Sequence, residues 1–266
     1  MKCCGIDIGS RYIKFVLLEE GSPLTFHKRE TGHNPLSVCR ELLDSHKPDR
    51  VVATGYGRYL LEVHRNTETI TEIKAVARGV KAVFPSARTI IDIGGQDTKV
   101  ISLDDKGTVT NFEMNDRCAA GTGRFLEIMA KALGYDVELF GASCGSTGDQ
   151  VRINSLCTVF AESEVVSLIA KGKKREVIAR AIHESIALKV VSLVRRIDVK
   201  DDLVFTGGCA QNTCLRRIIQ DRLHRDIHVH ENPFLHAAYG AALYAGQDGI
   251  RSSELLSAAS VKGAGQ

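Results

Sequence analysis

Ile6-Asp7-Ile8-Gly9, followed by Lys14, returns later in the chain as Ile91-Asp92-Ile93-Gly94 followed by Lys99, five identities at a single offset of 85 residues. Each copy is an apolar run ending in Asp-x-Gly, then a tight turn, then a second apolar run: Phe15 to Leu18 in the first, Val100 to Leu103 in the second. That pattern predicts a β-hairpin with an acid at its tip. A second pair lies further on. Val52-Ala53-Thr54-Gly55 resembles Val204-Phe205-Thr206-Gly207, in each case a buried-type strand running into glycine and then a helical pattern. The chain is therefore expected to be an α/β protein of two related halves, each built as hairpin, helix, strand and glycine turn.

The halves differ in what separates hairpin from Thr-Gly strand. In the second half about a hundred residues intervene, and most read as helix. Phe125, Leu126, Met129 and Leu133 mark one helical face, Ile178, Ala181, Ile182 and Ser185 another, and Leu215, Ile218, Ile219 and Leu223 a third. Pro85 and the small residues around it fit a hinge. Residues 1–87 together with 233–250, which include a helix over His236 to Tyr244, are expected to form one half. Residues 88–232 form the other, and 251–266 a frayed, flexible tail.

Composition narrows the class. In 266 residues, 44% are hydrophobic and 25% charged, as in an ordinary soluble globular protein. Lys and Arg number 35 against 32 Asp and Glu, a net charge of +3 that gives no bulk reason to expect a nucleic-acid partner. No apolar run approaches the length of a membrane span, and Asp7 interrupts the first run too early for a signal peptide, so a cytoplasmic protein is expected. In a reducing compartment the eight cysteines do not read as a disulfide framework.

Neither Gly-x4-Gly-Lys-[Ser/Thr] nor Gly-x-Gly-x-x-Gly occurs, so a nucleotide would need another cradle. Two Asp-x-Gly hairpins facing one another across a cleft offer one. Glycine admits backbone N–H groups to phosphate oxygens, and paired acids hold a hydrated magnesium ion against them. Ser10 and Lys14 add a hydroxyl donor and a positive charge. The plainer reading is that Asp7 and Asp92 only terminate strands, a common use of Asp before Gly; the duplication of acid, glycine and lysine favours phosphate. Thr206-Gly207-Gly208, opening a helix at Cys209 or Ala210, would let a nucleoside lie against backbone or would simply pack helix on strand. An Asp hairpin in each half plus a late Gly-Gly turn resembles the actin and sugar kinase superfamily, which implies two ribonuclease-H-like domains closing over ATP.

Among the cysteines, Cys118 and Cys157 each precede a helical pattern, where free N–H groups and the helix dipole stabilise a thiolate. Cys209 has a similar local setting. Cys3, Cys4, Cys39, Cys144 and Cys214 read as small buried side chains. A cubane needs four thiolates; two per chain would suffice across a two-fold axis. His224, His228, His230 and His236 complete no standard zinc spacing and read as surface residues. Glu162 and Glu164, in the first turn after Cys157, suit the helix dipole or tune charge beside the cysteine.

Asn115-Asp116-Arg117-Cys118-Ala119-Ala120-Gly121-Thr122-Gly123-Arg124-Phe125-Leu126, Cys157-Thr158-Val159-Phe160-Ala161-Glu162-Ser163-Glu164-Val165 and Ile91-Asp92-Ile93-Gly94-Gly95-Gln96-Asp97-Thr98-Lys99 resemble the motifs of the ATP-dependent activators of 2-hydroxyacyl-CoA dehydratases and of related benzoyl-CoA reductase ATPase subunits. The resemblance implies a homodimer holding one 4Fe-4S cluster between Cys118 and Cys157 of each chain. It also implies ATP-driven delivery of a low-potential electron to a dehydratase or reductase carrying iron-sulfur clusters, with ferredoxin or flavodoxin as electron donor; charge and hydropathy give no reason to expect a nucleic acid or a membrane as partner. On it, Asp7 and Asp92 hold magnesium through water and Gln96 orients the attacking water. Gly9, Ser10, Arg11, Tyr12, Lys14, Gly94, Gly95, Gly207, Gly208 and Gln211 border the nucleotide. Arg11 and Tyr12 depart from the family pattern, where small or hydroxyl residues are usual. The rival expectations are a sugar-kinase-like phosphotransferase without a cluster and a nucleotide-gated regulatory module.

Overall fold

In the computed structural model, the structure describes residues 1–20, 22, 24–144, 151–154, 157–200 and 202–246; the expected tail lies outside them. In chain order the elements are β1 (Lys2–Ile8), β2 (Tyr12–Glu19), β3 (Thr25–Glu30), α1 (Pro35–His46), β4 (Arg50–Thr54), α2 (Arg58–Arg65), β5 (Glu68–Thr69) and α3 (Glu72–Val83). The second series is β6 (Thr89–Ile93), β7 (Thr98–Leu103), β8 (Val109–Asn115), α4 (Gly123–Ala132), α5 (Val137–Phe140), α6 (Thr158–Ala170), α7 (Arg175–Val194), β9 (Leu203–Thr206), α8 (Thr213–Leu223), β10 (Ile227–His228) and α9 (His236–Ala245).

They form two compact units of described residues, one of Met1–Ala87, Leu103–Val109 and 234–246, the other of Arg88–Ser102 and Thr110–Pro233. The turn after β7 therefore goes with the first unit, not with the half to which a single cut after residue 87 assigns it; its Gly107, at φ +83°, lies over the Lys81 stem.

Among the described residues each unit has one five-stranded sheet, and the two orders match: β3-β2-β1-β4-β5 and β8-β7-β6-β9-β10. Antiparallel pairing puts Asp7 opposite Lys14 and Asp92 opposite Lys99. Parallel pairing puts Asp7 beside Thr54 and Asp92 beside Thr206. The recurrence in sequence is thus a recurrence of register, and every residue of β6 and β7 is buried, as central strands covered on both faces require.

In the first unit the alternation of β1 sorts its side chains to two cores. Cys4, Ile6 and Ile8 face Leu42, Leu43 and Leu61 of α1 and α2, while Cys3 faces Ala238, Tyr239 and Ala242 of α9. Gly5 lies under α9, where a Cβ would meet the Ala238 carbonyl and the Ala242 amide. α9 is itself nearly all small or apolar and buried round its whole circumference. It crosses α3 glycine against backbone: Gly240 abuts the Ala75 carbonyl and Gly79 the His236 carbonyl. Gly240→Val is expected to lower the stability of this unit by about 3 kcal/mol or more, because the obstacle is backbone and cannot turn aside; denaturant unfolding measures it. The second unit has one continuous core in which α7 and α8 cover Ile91, Ile93, Val100 and Phe205. Burial pushes His183 of α7 down to about 4, so the ring is neutral. No helix among the described residues is long and apolar enough to cross a membrane.

Candidate functional site

The two hairpin tips share a buried acid facing a lysine and a positive-φ glycine. In the first unit Lys14 Nζ donates to Asp7 Oδ2 at 2.7 Å, Asp7 is 3% exposed, and Asp7 Oδ1 is buried with no hydrogen-bond partner. Gly55, at φ +84°, follows the parallel strand β4, and a Cβ there would run into Asp7 Oδ1 and the Ile8 carbonyl. In the second unit Lys99 Nζ lies 3.6 Å from Asp92 Oδ2. Gly207, also at φ +84°, follows β9, where a Cβ would run into Asp92 Oδ1 and the Ile93 carbonyl. Both glycines are required twice over, by a left-handed backbone and by a carboxylate lying where a side chain would begin. A buried carboxylate oxygen without a protein donor is costly, and a water carried by a divalent cation would satisfy it; the donor set fits hydrated magnesium.

The tips are not identical. Lys99 also donates to Asp97 Oδ2 at 2.7 Å, and Asp97 stands where the repeat has Tyr12. Asp97 carries no identity in the repeat, since Tyr12 holds the equivalent place; the Asp-x-Gly…Asp-x-Lys spacing is the signal that marks it. Gln96 is exposed, as are Ser10, Arg11, Gly208 and Gln211. Arg11 makes a 3.8 Å ion pair with Glu30, and Lys28 Nζ sits over the Tyr12 ring at 4.2 Å. Gly9 N–H donates to the Tyr12 carbonyl, closing the first turn. The helix expected at Cys209 is only a short 3-10 turn, Gly208–Gln211. α8 starts at Thr213, capped by Asn212 Oδ1 accepting from Leu215 N at 2.9 Å, because Asn is the stronger cap.

Beyond the second hairpin the chain is tied back to it. Gly123 N donates to the Gly94 carbonyl at 2.9 Å and Arg124 N to the Gly95 carbonyl at 2.8 Å, so the first turn of α4 hangs from the glycine turn. Thr98 Oγ1 donates to the Gly121 carbonyl at 2.6 Å, and Asn115 Nδ2 donates to the carbonyls of Cys118 and Ala120. These bonds hold the Cys118 loop on the glycine turn. Cys118 itself does not cap a helix: Ala119 to Thr122 intervene, with Gly121 at φ +95°, because the loop must turn sharply before α4 begins. Cys157 is the N-cap of α6. Glu162 and Glu164 then fall past the first turn, and Glu164 accepts from Asn154 N instead.

Exposure separates the cysteines where sequence did not. Of the six outside a disulfide, Cys118 and Cys157 are exposed and Cys3, Cys4, Cys39 and Cys209 buried. Burial, and then the Asp92 carboxylate, push the Cys209 thiol up to about 12, which keeps it protonated and unsuited to metal. Cys144 and Cys214, which read from sequence as separate small hydrophobes, form a disulfide; a sequence separation of 70 hides their proximity. His236, read as a surface residue, is 2% exposed at the start of α9, covered because that helix has no solvent face.

Three likenesses bear on this arrangement. The 2-hydroxyisocaproyl-CoA dehydratase activator of Clostridioides difficile is 42% identical over 254 residues, 92% of this chain and 95% of that protein. The crystal structure of (R)-2-hydroxyglutaryl-CoA dehydratase component A from Acidaminococcus fermentans superposes with a TM-score of 0.85 at 38% identity, covering 93% of this chain and 98% of that one. The Clostridium difficile activator with bound ADPNP does so with a TM-score of 0.85 at 42% identity, covering 93% and 95%. The fold is that of the actin and sugar kinase superfamily, as the matched sheets already indicated. The family model of the BadF/BadG/BcrA/BcrD ATPases matches residues 4–245, nearly all of the described chain, and the protein with its twin Asp-Gly-Lys hairpins belongs to that ATPase family.

Proposed function

We propose that this ATPase works as a homodimer that drives low-potential electrons into a CoA-ester dehydratase or reductase carrying iron-sulfur clusters, itself charged by ferredoxin or flavodoxin. The observation that carries the reading is the exposure of Cys118 and Cys157 alone among the cysteines outside the disulfide, in a unit whose glycine turn is hydrogen-bonded to the chain following Cys118. The two thiolates of each chain would hold a 4Fe-4S cluster, which supplies one-electron chemistry. α6, capped by Cys157, leaves Val159, Phe160, Val166 and Ile169 exposed, an apolar face suited to a second copy.

Asp7 and Asp92 hold magnesium through water, Lys14 and Lys99 neutralise the carboxylates they touch, and Ser10, Arg11, Tyr12, Gly9, Gly94 and Gly95 line the phosphates. Gln96 orients the attacking water, since transfer to water needs positioning and charge stabilisation above all. Gly207, Gly208 and Gln211 border the nucleoside. A shift of the Gly94-Gly95 turn on hydrolysis pulls directly on the Gly123 and Arg124 amides, and so on the loop that presents Cys118. Hydrogen bonding and solvent around that cysteine then depend on the nucleotide.

The test is an anaerobic redox titration without nucleotide, with ADP and with a non-hydrolysed ATP mimic. A gap of about 59 mV for a one-electron couple, about 1.4 kcal/mol, is expected between states. Identical potentials in all three refute the coupling, and iron-free protein that phosphorylates a sugar establishes the phosphotransferase alternative.

A further inference from the structure

Cys144, His183 and Cys214 meet in the second unit, and the proposed function uses none of them. Cys144 follows the 3-10 turn Gly141–Ser143, His183 lies midway along α7, and Cys214 is in the first turn of α8. One ligand atom from each lies within 4.8 Å of the other two. The two cysteines, 70 residues apart with Cα atoms 6.1 Å apart, are joined as a disulfide. His183 is fully buried, its ring 4.6 Å from that of Phe140.

The hydrogen bonds of the ring fix its tautomer. Nδ1 donates to the Ala179 carbonyl at 2.7 Å, which leaves Nε2 with its lone pair, accepting from Asn212 Nδ2 at 2.9 Å. A core histidine satisfied at both nitrogens is ordinary. One that also has two cysteine sulfurs at this distance is a Cys2His donor set, with the backbone carbonyl on the far nitrogen orienting the ring as in metal sites generally. Cys214, in the first turn of α8, has the helix dipole to favour its thiolate. Cys144 is only half-buried, and a water would take the fourth position in a tetrahedral set.

Two thiolates and an imidazole select a borderline-soft divalent cation over magnesium or calcium. We propose that Cys144, His183 and Cys214 bind zinc in the reduced protein, and that the disulfide is the metal-free oxidised form of the same site. A dithiol reductant supplies two electrons to open the disulfide and becomes a disulfide itself. The two thiols formed release two protons as the cation binds, and Nε2 exchanges the Asn212 amide hydrogen bond for the metal. In either form the site ties the chain at Cys144 to α8, and in the zinc form to α7 as well.

The test uses full-length protein purified anaerobically, treated with a dithiol, desalted, incubated with Zn²⁺ and gel-filtered, with zinc and iron counted together. About one zinc per chain is expected in the reduced sample and none in the oxidised one. Cys144→Ser, on the partly exposed loop and so tolerated by the fold, loses the zinc and keeps the iron. His183→Gln weakens zinc against a chromophoric chelator by about tenfold or more. The Cys118→Ser, Cys157→Ser double variant keeps zinc while losing iron, so failure of this site and failure of the iron site are distinguishable. No zinc in the reduced protein, or full zinc in Cys144→Ser, overturns the proposal.

Discussion

Cys118→Ser and Cys157→Ser are each expected to take the iron content of anaerobically purified protein from about two atoms per chain to near zero, and the visible absorption with it. A four-thiolate cluster shared by two chains loses two ligands, not one, for each substitution, because the change is present in both copies. A hydroxyl does not replace a thiolate as ligand to a soft centre. Both residues are exposed, so serine leaves the cores of either unit untouched, and circular dichroism should be unchanged. Cys39→Ala is the control. Burial pushes the Cys39 thiol up to about 12 and it packs with Leu42 and Leu43, so its loss costs packing and leaves iron in place. Iron retained by either serine variant would mean that other cysteines hold it.

Much of this arrangement was visible in the amino-acid order, and the reason is physical. A hairpin with a buried acid at its tip needs a particular residue at nearly every step, so its repetition with Asp, Gly and Lys in fixed places survives as identities. The Thr-Gly pairs were readable for the same cause: Gly55 and Gly207 have positive φ and a carboxylate against Cα, and no other residue fits. What escaped were properties set by distant chain. The exposure that singles out Cys118 and Cys157 over Cys209 depends on how α8 and the 3-10 turn before it are covered. The closeness of Cys144 to Cys214 depends on α7 lying between them in sequence but beside them in space. Asp97 escaped because it is where the two hairpins part: Lys14 has Asp7 in direct contact, whereas Lys99 donates at short range to Asp97 and sits further from Asp92.

That difference decides how the two acids respond to substitution. Asp7→Asn and Asp92→Asn are each expected to lower magnesium-dependent ATP hydrolysis by about a hundredfold, the roughly 3 kcal/mol of transition-state stabilisation that a positioned metal ion supplies. Their effects on folding should diverge. Asparagine at position 7 removes the carboxylate that accepts from Lys14 at 2.7 Å in a pair whose acid is buried and whose lysine is part-exposed, and breaking such a pair costs about 2 kcal/mol or more. Asparagine at position 92 leaves Lys99 bound to Asp97 at 2.7 Å, so stability should fall far less. Thermal unfolding without nucleotide separates the two effects: a drop of about 6 °C or more for Asp7→Asn, and a small one for Asp92→Asn. Hydrolysis that persists at full rate in Asp92→Asn would remove the second acid from the metal site. An equal loss of stability in both variants would show instead that Asp97 does not carry the charge of Lys99, and that the hairpins are alike in energy as well as in register.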